Sequence, residues 1–333
     1  DSRHVTREKA LTVLAGALER ELPPLDDLVT DTRCFSIFAL CGICVKEGSL
    51  TEQRLALRAV SLLALTLRAA AGSSEILANT FRPLAGTIRE HGDAPAMTVV
   101  AAIECLAAVT FAGARGRDDV ERSLKVLAGA WKISPSRVLV AAVSTWTFLL
   151  TTIVSKIDAS PRKKADNTIS NVTVASLAGL LGQDDRAVHM ASGEALAVCV
   201  ELNLTQHVPR KDMDALAAKV SELASELPCR GYNNTLLPEE RDLFGQIAAF
   251  LDDGERPEKL LPTSMEGCVV LRVSSWAKLV QLNFLTRFLG NGFVKHVQCN
   301  ELFKEAFSYS ADEGKVLSIS KKTPAEKDLK ALH

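Results

Sequence analysis

Aromatic residues are scarce, at 5% of the 333 positions with two tyrosines and three tryptophans. That disfavours a β-rich core, since aromatic and β-branched side chains are the ones that suit a pleated surface. A charge bias is lacking too. The formal net charge is −1, so no global field favours nucleic acid or an anionic membrane. No stretch of about 18 consecutive uncharged apolar residues occurs, which argues against a membrane span and a membrane partner. The start, Asp1-Ser2-Arg3-His4, is not a signal peptide; it lacks Met, so residues upstream are to be expected. No glycine-rich phosphate loop follows a strand, and no nucleophile elbow or Ser/His/Asp order stands out, so a non-enzymatic protein without cofactor, metal or small-molecule substrate is expected.

What is present is helical. Apolar residues make up 47%, and Ala and Leu, strong helix formers, dominate them. Apolar periodicity and polar breaks predict helices over 3–22, 26–47, 51–71, 74–91, 95–113, 117–131, 136–157, 165–182, 185–204, 209–227 and 237–252. Taken in pairs, the first helices start near Arg3, Thr51, Pro95, Ser136 and Asp185. These intervals of roughly 40–50 residues match the period of HEAT and armadillo repeats. Pro23-Pro24 should end the first helix, and Gly48 the second as a left-handed cap. Asp26-Asp27, Asp118-Asp119 and Asp184-Asp185 favour helix starts through the dipole. Val138–Ile153, around Trp146, and Met190–Leu202, with Gly193 and Ala195, are apolar nearly all round and belong between other helices. The predicted fold is therefore an all-α, HEAT/armadillo-like solenoid over 1–253, a Gly/Pro-bearing linker over 254–267, and a small helical C-terminal unit with a basic tail over 268–333.

Candidate chemistry is sparse. Cys41-Gly42-Ile43-Cys44 is a CxxC, but it lies mid-helix rather than at a helix start after a strand, so core cysteines are expected. The eight cysteines are scattered through apolar runs, which suits buried thiols in a reducing compartment. The sequons at Asn171, Asn203 and Asn233 are then chance matches. His189 and His207 are isolated and read as satisfied structural histidines. Asp252-Asp253 and Glu239-Glu240 sit near helix ends, where capping and solvation account for them.

The last part of the chain carries more signal. In SSWAKLVQLNFLTRFLGNGFVKHVQCNELFKEAF, Ser274 or Ser275 can N-cap a helix. Trp276, Val280, Phe284 and Phe288 make one stripe, Gly290-Asn291-Gly292 breaks it, and a short helix follows with Phe303 and Phe307 on one face. From Val269 onward ten Lys and Arg stand against six acids. Ser160-Pro161-Arg162-Lys163-Lys164 reads as an exposed basic loop. Thr323-Pro324-Ala325-Glu326 has capping-box chemistry at the start of a short terminal helix.

Several of these elements resemble the interferon-related developmental regulator family. They are Ser275-Trp276, Leu289-Gly290-Asn291-Gly292, His296-Val297-Gln298-Cys299-Asn300-Glu301-Leu302 and Phe307. Upstream, Gly193-Glu194-Ala195-Leu196-Ala197 with Glu201-Leu202, then Ala142, Trp146 and Leu149-Leu150-Thr151, and finally Lys46-Glu47-Gly48 with Glu52-Gln53 and Ala59 follow the family pattern in order. The resemblance implies a cytoplasmic protein that binds translationally inactive ribosomes, rRNA and ribosomal proteins together, and blocks them sterically with its C-terminal segment. Phosphate contacts are then expected from Arg162, Lys163, Lys164, Lys295, His296, Lys304, Lys315, Lys321, Lys322, Lys327 and Lys330; read from its own surroundings beside Lys295 and Gln298, His296 either fixes the turn through a hydrogen bond, the preferred reading, or touches a partner. The alternative it implies is a transcriptional scaffold, also nuclear, that binds co-regulator proteins through the solenoid.

Overall fold

The computed structural model describes residues 2–20, 31–67, 70–90, 95–132, 135–155, 174–206, 208–225, 238–262 and 270–309. Its helices are α1 (Ser2–Arg20), α2 (Asp31–Glu47), α3 (Leu50–Thr66), α4 (Ala70–Arg89), α5 (Ala96–Gly113), α6 (Arg117–Gly129) and α7 (Ser136–Ser155). A helical stretch over 174–180, α8, precedes α9 (Arg186–Glu201), α10 (Arg210–Ser225) and α11 (Pro238–Asp253). After a hairpin of β1 (Lys259–Pro262) and β2 (Val270–Val273) come α12 (Trp276–Leu289), a 3₁₀ turn (Gly290–Gly292), α13 (Phe293–Cys299) and α14 (Glu301–Phe307).

The all-α solenoid-like architecture predicted from the apolar period is present. Helices α1, α3, α5, α7, α9 and α11 pack in sequence order, while α2 lies on α3, α4 on α5, α6 on α7 and α10 on α11. The stacking helices begin at Ser2, Leu50, Ala96, Ser136 and Arg186, close to the starts read from sequence. Local chemistry sets these starts. Ser49 caps α3 in a reciprocal box, the Glu52 N–H donating to Ser49 Oγ (3.2 Å) and the Ser49 N–H to Glu52 Oε2 (2.6 Å). Asp185 Oδ1 accepts from the N–H groups of Ala187 and Val188 at the start of α9. Asp118 and Asp119 lie in the first turn of α6.

Glu52 also ties the first two stacked helices together. Its carboxylate is fully buried, yet it accepts from Arg7 Nε at 2.6 Å and lies 2.8 Å from His4 Nδ1, both on α1. Burial alone would raise this carboxyl; the Ser49 N–H, His4 and Arg7 outweigh it and hold it below the usual range.

Helices α5 and α7 are each long and apolar enough to cross a membrane by length and composition, with one charged residue apiece, Glu104 and Arg137. In this fold they lie at its centre, 67% and 72% buried, α5 against α3, α4 and α7, and α7 against α5, α6, α9 and α12. Trp146 is enclosed on α7 and meets Trp131 edge-on at 5.2 Å. The enclosure expected for Val138–Ile153 and Met190–Leu202 is observed, and a Cβ at Gly193 would come within 3.0 Å of Phe244 and Ile247.

Two expectations are corrected. Gly48 is not left-handed, since only Gly254 and Gly290 among the described glycines have positive φ. Glycine is needed there for room, because a Cβ would lie 2.4 Å from the Cys44 carbonyl oxygen and 2.8 Å from Glu52 Cβ. Residues 254–267 are not linker throughout, since 259–262 pair antiparallel with 270–273, Lys259 opposite Val273 and Leu261 opposite Leu271. Leu271 and Val273 point inward and are buried, while Leu260 is exposed. Pro23-Pro24 and Asp26-Asp27 lie outside the described residues.

Candidate functional site

The residues after β2 do not form a detached appendage. They line one face of the stacked helices, which we call the inner face, and several of their polar groups pair with helices of the array. Ser275 Oγ caps α12 by accepting from the Lys278 N–H at 3.2 Å. The next two orphan N–H groups, of Trp276 and Ala277, donate to the two oxygens of Glu201 at the end of α9, at 3.0 and 2.7 Å. Trp276 is fully buried against Phe250, as expected of an anchor. Gln281 Nε2 donates to Thr151 Oγ1 of α7 at 3.0 Å, and both side chains are buried. Phe284 stacks on Phe148 of α7 with centroids 4.1 Å apart. Phe288 lies under the Arg58 guanidinium of α3 at 4.0 Å.

The glycine turn after α12 reaches the first stacked helices. A Cβ at Gly292 would fall 2.3 Å from the Glu19 carbonyl oxygen, so only glycine lets the turn sit on the end of α1. Asn300 satisfies three strands of the packing at once. Its Nδ2 donates to the Leu65 carbonyl at the end of α3 (2.7 Å) and to His296 Nδ1 (3.3 Å), while its Oδ1 accepts from the Leu302 N–H (3.0 Å). Phe303 and Phe307 are buried on α14, Phe303 edge-on to Phe111 of α5, as expected of the short helix that carries both on one face. Lys278 Nζ donates to the Ala306 carbonyl and closes the end of α14; burial pulls its ammonium below the usual lysine range.

Charge is distributed unevenly across this lining. Arg58 pairs with Glu19 at 3.0 Å. Glu104 on α5 is pushed up by burial, with Arg287 and Arg58 pulling it back. Glu194 on α9 is likewise raised by burial, against the Asn283 amide and the charges of Arg287 and Lys259.

The predicted contact residues fare differently. His296 is buried and cannot face a partner, which removes it from the phosphate-contact set. It serves the turn, its Nε2 lying beside the carbonyls of Leu18 and Glu19 without a hydrogen bond of ordinary geometry. Burial, with the charge of Arg58, lowers its pKa to about 4 despite those carbonyls. Lys304 is held by Glu301 at 2.8 Å. Lys295, half-buried on α13, makes no hydrogen bond or ion pair among the described residues. Arg162, Lys163, Lys164, Lys315, Lys321, Lys322, Lys327 and Lys330 lie outside the described residues, as do His207 and the capping box at Thr323. Cys41 and Cys44 are buried free thiols within α2, burial pushing Cys41 up to about 12. His189 departs from the expected satisfied histidine, since neither ring nitrogen has a hydrogen-bond partner. Among the described residues no three His, Cys, Asp or Glu side chains gather in a metal-binding arrangement. Sequence reasoning missed Gln281 altogether, and it named Glu201, Thr151 and Asn300 only as parts of a family-like pattern, without the packing roles they have here.

A stack of paired helices with one face lined by the chain's own last helices defines a helical-repeat protein. The chain belongs to the interferon-related developmental regulator family, whose model matches residues 1–252, through α11. It is similar to interferon-related developmental regulator 2 of Mus musculus, 25% identical over 324 residues covering 92% of this chain and 70% of the relative. It is also similar to interferon-related developmental regulator 1 of Rattus norvegicus, 24% identical over 327 residues covering 92% and 68%. The human interferon-related developmental regulator 1 is 23% identical over 326 residues with the same coverage as the rat protein.

Proposed function

We propose that this protein binds translationally inactive ribosomes in the cytoplasm and blocks them sterically, through the segment beyond its lined inner face. Family membership supports the reading, and one structural observation carries it. The chain is held on the array up to Tyr309, whose side chain packs half-buried against the common core. The segment beyond Tyr309 therefore departs from a fixed point on the body, and it includes Lys315, Lys321, Lys322, Lys327 and Lys330. Most side chains of residues 276–307 are committed to internal packing, so RNA contact is assigned to this segment, to Lys295, and to Arg162, Lys163 and Lys164. Fixing one end of a basic segment limits the ordering entropy that binding must overcome.

The test is co-sedimentation with ribosomes at rising salt, comparing the full chain with one ending at Tyr309 and with a charge reversal of Arg162, Lys163 and Lys164. Binding that falls steeply with salt, and a shallower slope in both variants, is expected. Equal affinity and slope for all three proteins would refute it. A second reading, a scaffold that binds co-regulator proteins, is favoured by one observation. Among the described residues, Leu50 and Met97 stay exposed at the first turns of α3 and α5, away from the lining.

A further inference from the structure

Each of α3, α5 and α7 presents one stripe to the inner face, and the lining covers only its C-terminal part. On α3 the stripe is Leu50, Arg54, Arg58 and Leu65, where Arg58 meets Phe288 and the Leu65 carbonyl meets Asn300. On α5 it is Met97, Ala101, Glu104 and Phe111, where Glu104 faces Arg287 and Phe111 meets Phe303. On α7 it is Arg137, Ala141, Phe148 and Thr151, where Phe148 meets Phe284 and Thr151 meets Gln281. Among the described residues, the first-turn members of these stripes, Leu50, Met97 and Arg137, stay exposed. Leu50 is 50% exposed and Met97 41%, unusual for large apolar side chains on the inner side of a stack.

We propose that these uncovered first turns form a docking groove for an acidic, amphipathic peptide segment of a partner protein. The proposal rests on the scaffold reading and names its surface and its chemistry. Charge complementarity identifies the occupant. Where the lining lies, cations are answered: Glu19 pairs Arg58, and Glu104 and Glu194 face Arg287. In the groove they are not. Arg54 donates only to its own Leu50 carbonyl, and Arg137 only to Met97 Sδ at 3.1 Å, so neither guanidinium has a carboxylate partner among the described residues. The aligned N-termini of α3, α5 and α7 add positive potential at the same edge. Leu50 lies beside Arg54 and Met97 beside Arg137, with Ala101 one turn on from Met97, and a methionine adapts to varied aliphatic partners. A segment with carboxylates on one side and leucine-like side chains on the other fits both features. Single-stranded RNA fits less well, because the groove offers no exposed aromatic ring on which a base could stack.

Fluorescence anisotropy of the full chain tests this with a labelled synthetic helix of about 18 residues carrying Leu and Glu at helical spacing. Wild-type protein should bind it, Arg54→Glu with Arg137→Glu should weaken it at least about tenfold with an unchanged melting temperature, and Met97→Asp should weaken it independently. A peptide with Lys in place of Glu should prefer the double variant, a reversal that loss of folding cannot produce. Equal binding of the acidic peptide to wild type and double variant would overturn the groove while leaving the scaffold reading to its own test. Tighter, arginine-dependent binding of a labelled oligouridylate than of the peptide would overturn the choice of occupant.

Discussion

Replacing Glu201 with alanine removes a side chain that joins the end of α9 to the start of α12. Its carboxylate accepts two backbone N–H bonds, from Trp276 at 3.0 Å and Ala277 at 2.7 Å. A hydrogen bond to a charged group contributes about 1.5–3 kcal/mol. The two bonds share one charge, and Ser275 still caps the Lys278 N–H at 3.2 Å, so their contributions do not add fully. The expected loss is about 2–4 kcal/mol. Glu201→Gln, which keeps one acceptor and loses the charge, should fall roughly midway. Native-state hydrogen exchange reads the effect by region. Protection should drop across residues 276–307, while α3 and α5 away from the lining change less. Full protection of α12 in the alanine variant would refute the capping argument. A uniform loss across α3 to α9 would show that Glu201 supports the array and not the lining.

Further predictions address the same contact surface. Gly292→Ala puts a methyl where the Glu19 carbonyl oxygen lies at 2.3 Å; urea unfolding should show a loss of more than about 2 kcal/mol, and wild-type stability would mean the turn shifts freely. Trp276→Ala should cost about 3–5 kcal/mol because the ring is wholly enclosed, and an unaltered urea midpoint would contradict its role as anchor. His296 has a folded pKa of about 4, below its ordinary 6.5. It is neutral when docked, so its contribution is complete above about pH 6.5 and is lost as pH falls towards 4, by up to about 1.4 kcal/mol per pH unit. His296→Gln should flatten the stability profile in that window, and an identical profile would exclude the titration. Thiol labelling of the native protein should modify exposed Cys299 and spare Cys41, Cys44, Cys105 and Cys199 until unfolding; rapid native labelling of Cys41 would mean α2 opens readily.

The repeat architecture was legible because its signals are local. A 3.6-residue apolar period marks each helix, and Asp118-Asp119 and Asp185 mark starts that the structure keeps. The Ser275-Trp276 opening, the glycine turn and the Phe303–Phe307 face were readable for the same reason. Gly48 was misread because glycine at a helix end serves either left-handed φ or close approach, and only the neighbour Glu52 decides which. The hairpin was missed because Lys259-Leu260-Leu261-Pro262 is too short for an alternating pattern and ends in proline. The docking of the last helices was not legible at all. It depends on pairs such as Glu201 with Trp276, Gln281 with Thr151 and Asn300 with Leu65, whose partners are far apart in the sequence and leave no spacing rule. His296 joined the phosphate set because its neighbour is Lys295, yet adjacent positions on a helix face different ways.

In most repeat arrays each unit touches only its neighbours, and stability behaves as a chain of local terms that can melt from either end. Here Gly292 sits on the end of α1, Asn300 holds the end of α3, Phe303 meets α5, Gln281 meets α7 and Trp276 meets α9. One late segment therefore spans five of the stacked helices like a splint, and fraying of α1 breaks contacts made by the last helices. The array is therefore expected to melt as a block instead of unzipping. During synthesis its inner face stays unlined until α12–α14 emerge, so the most recently made residues fasten the earliest ones.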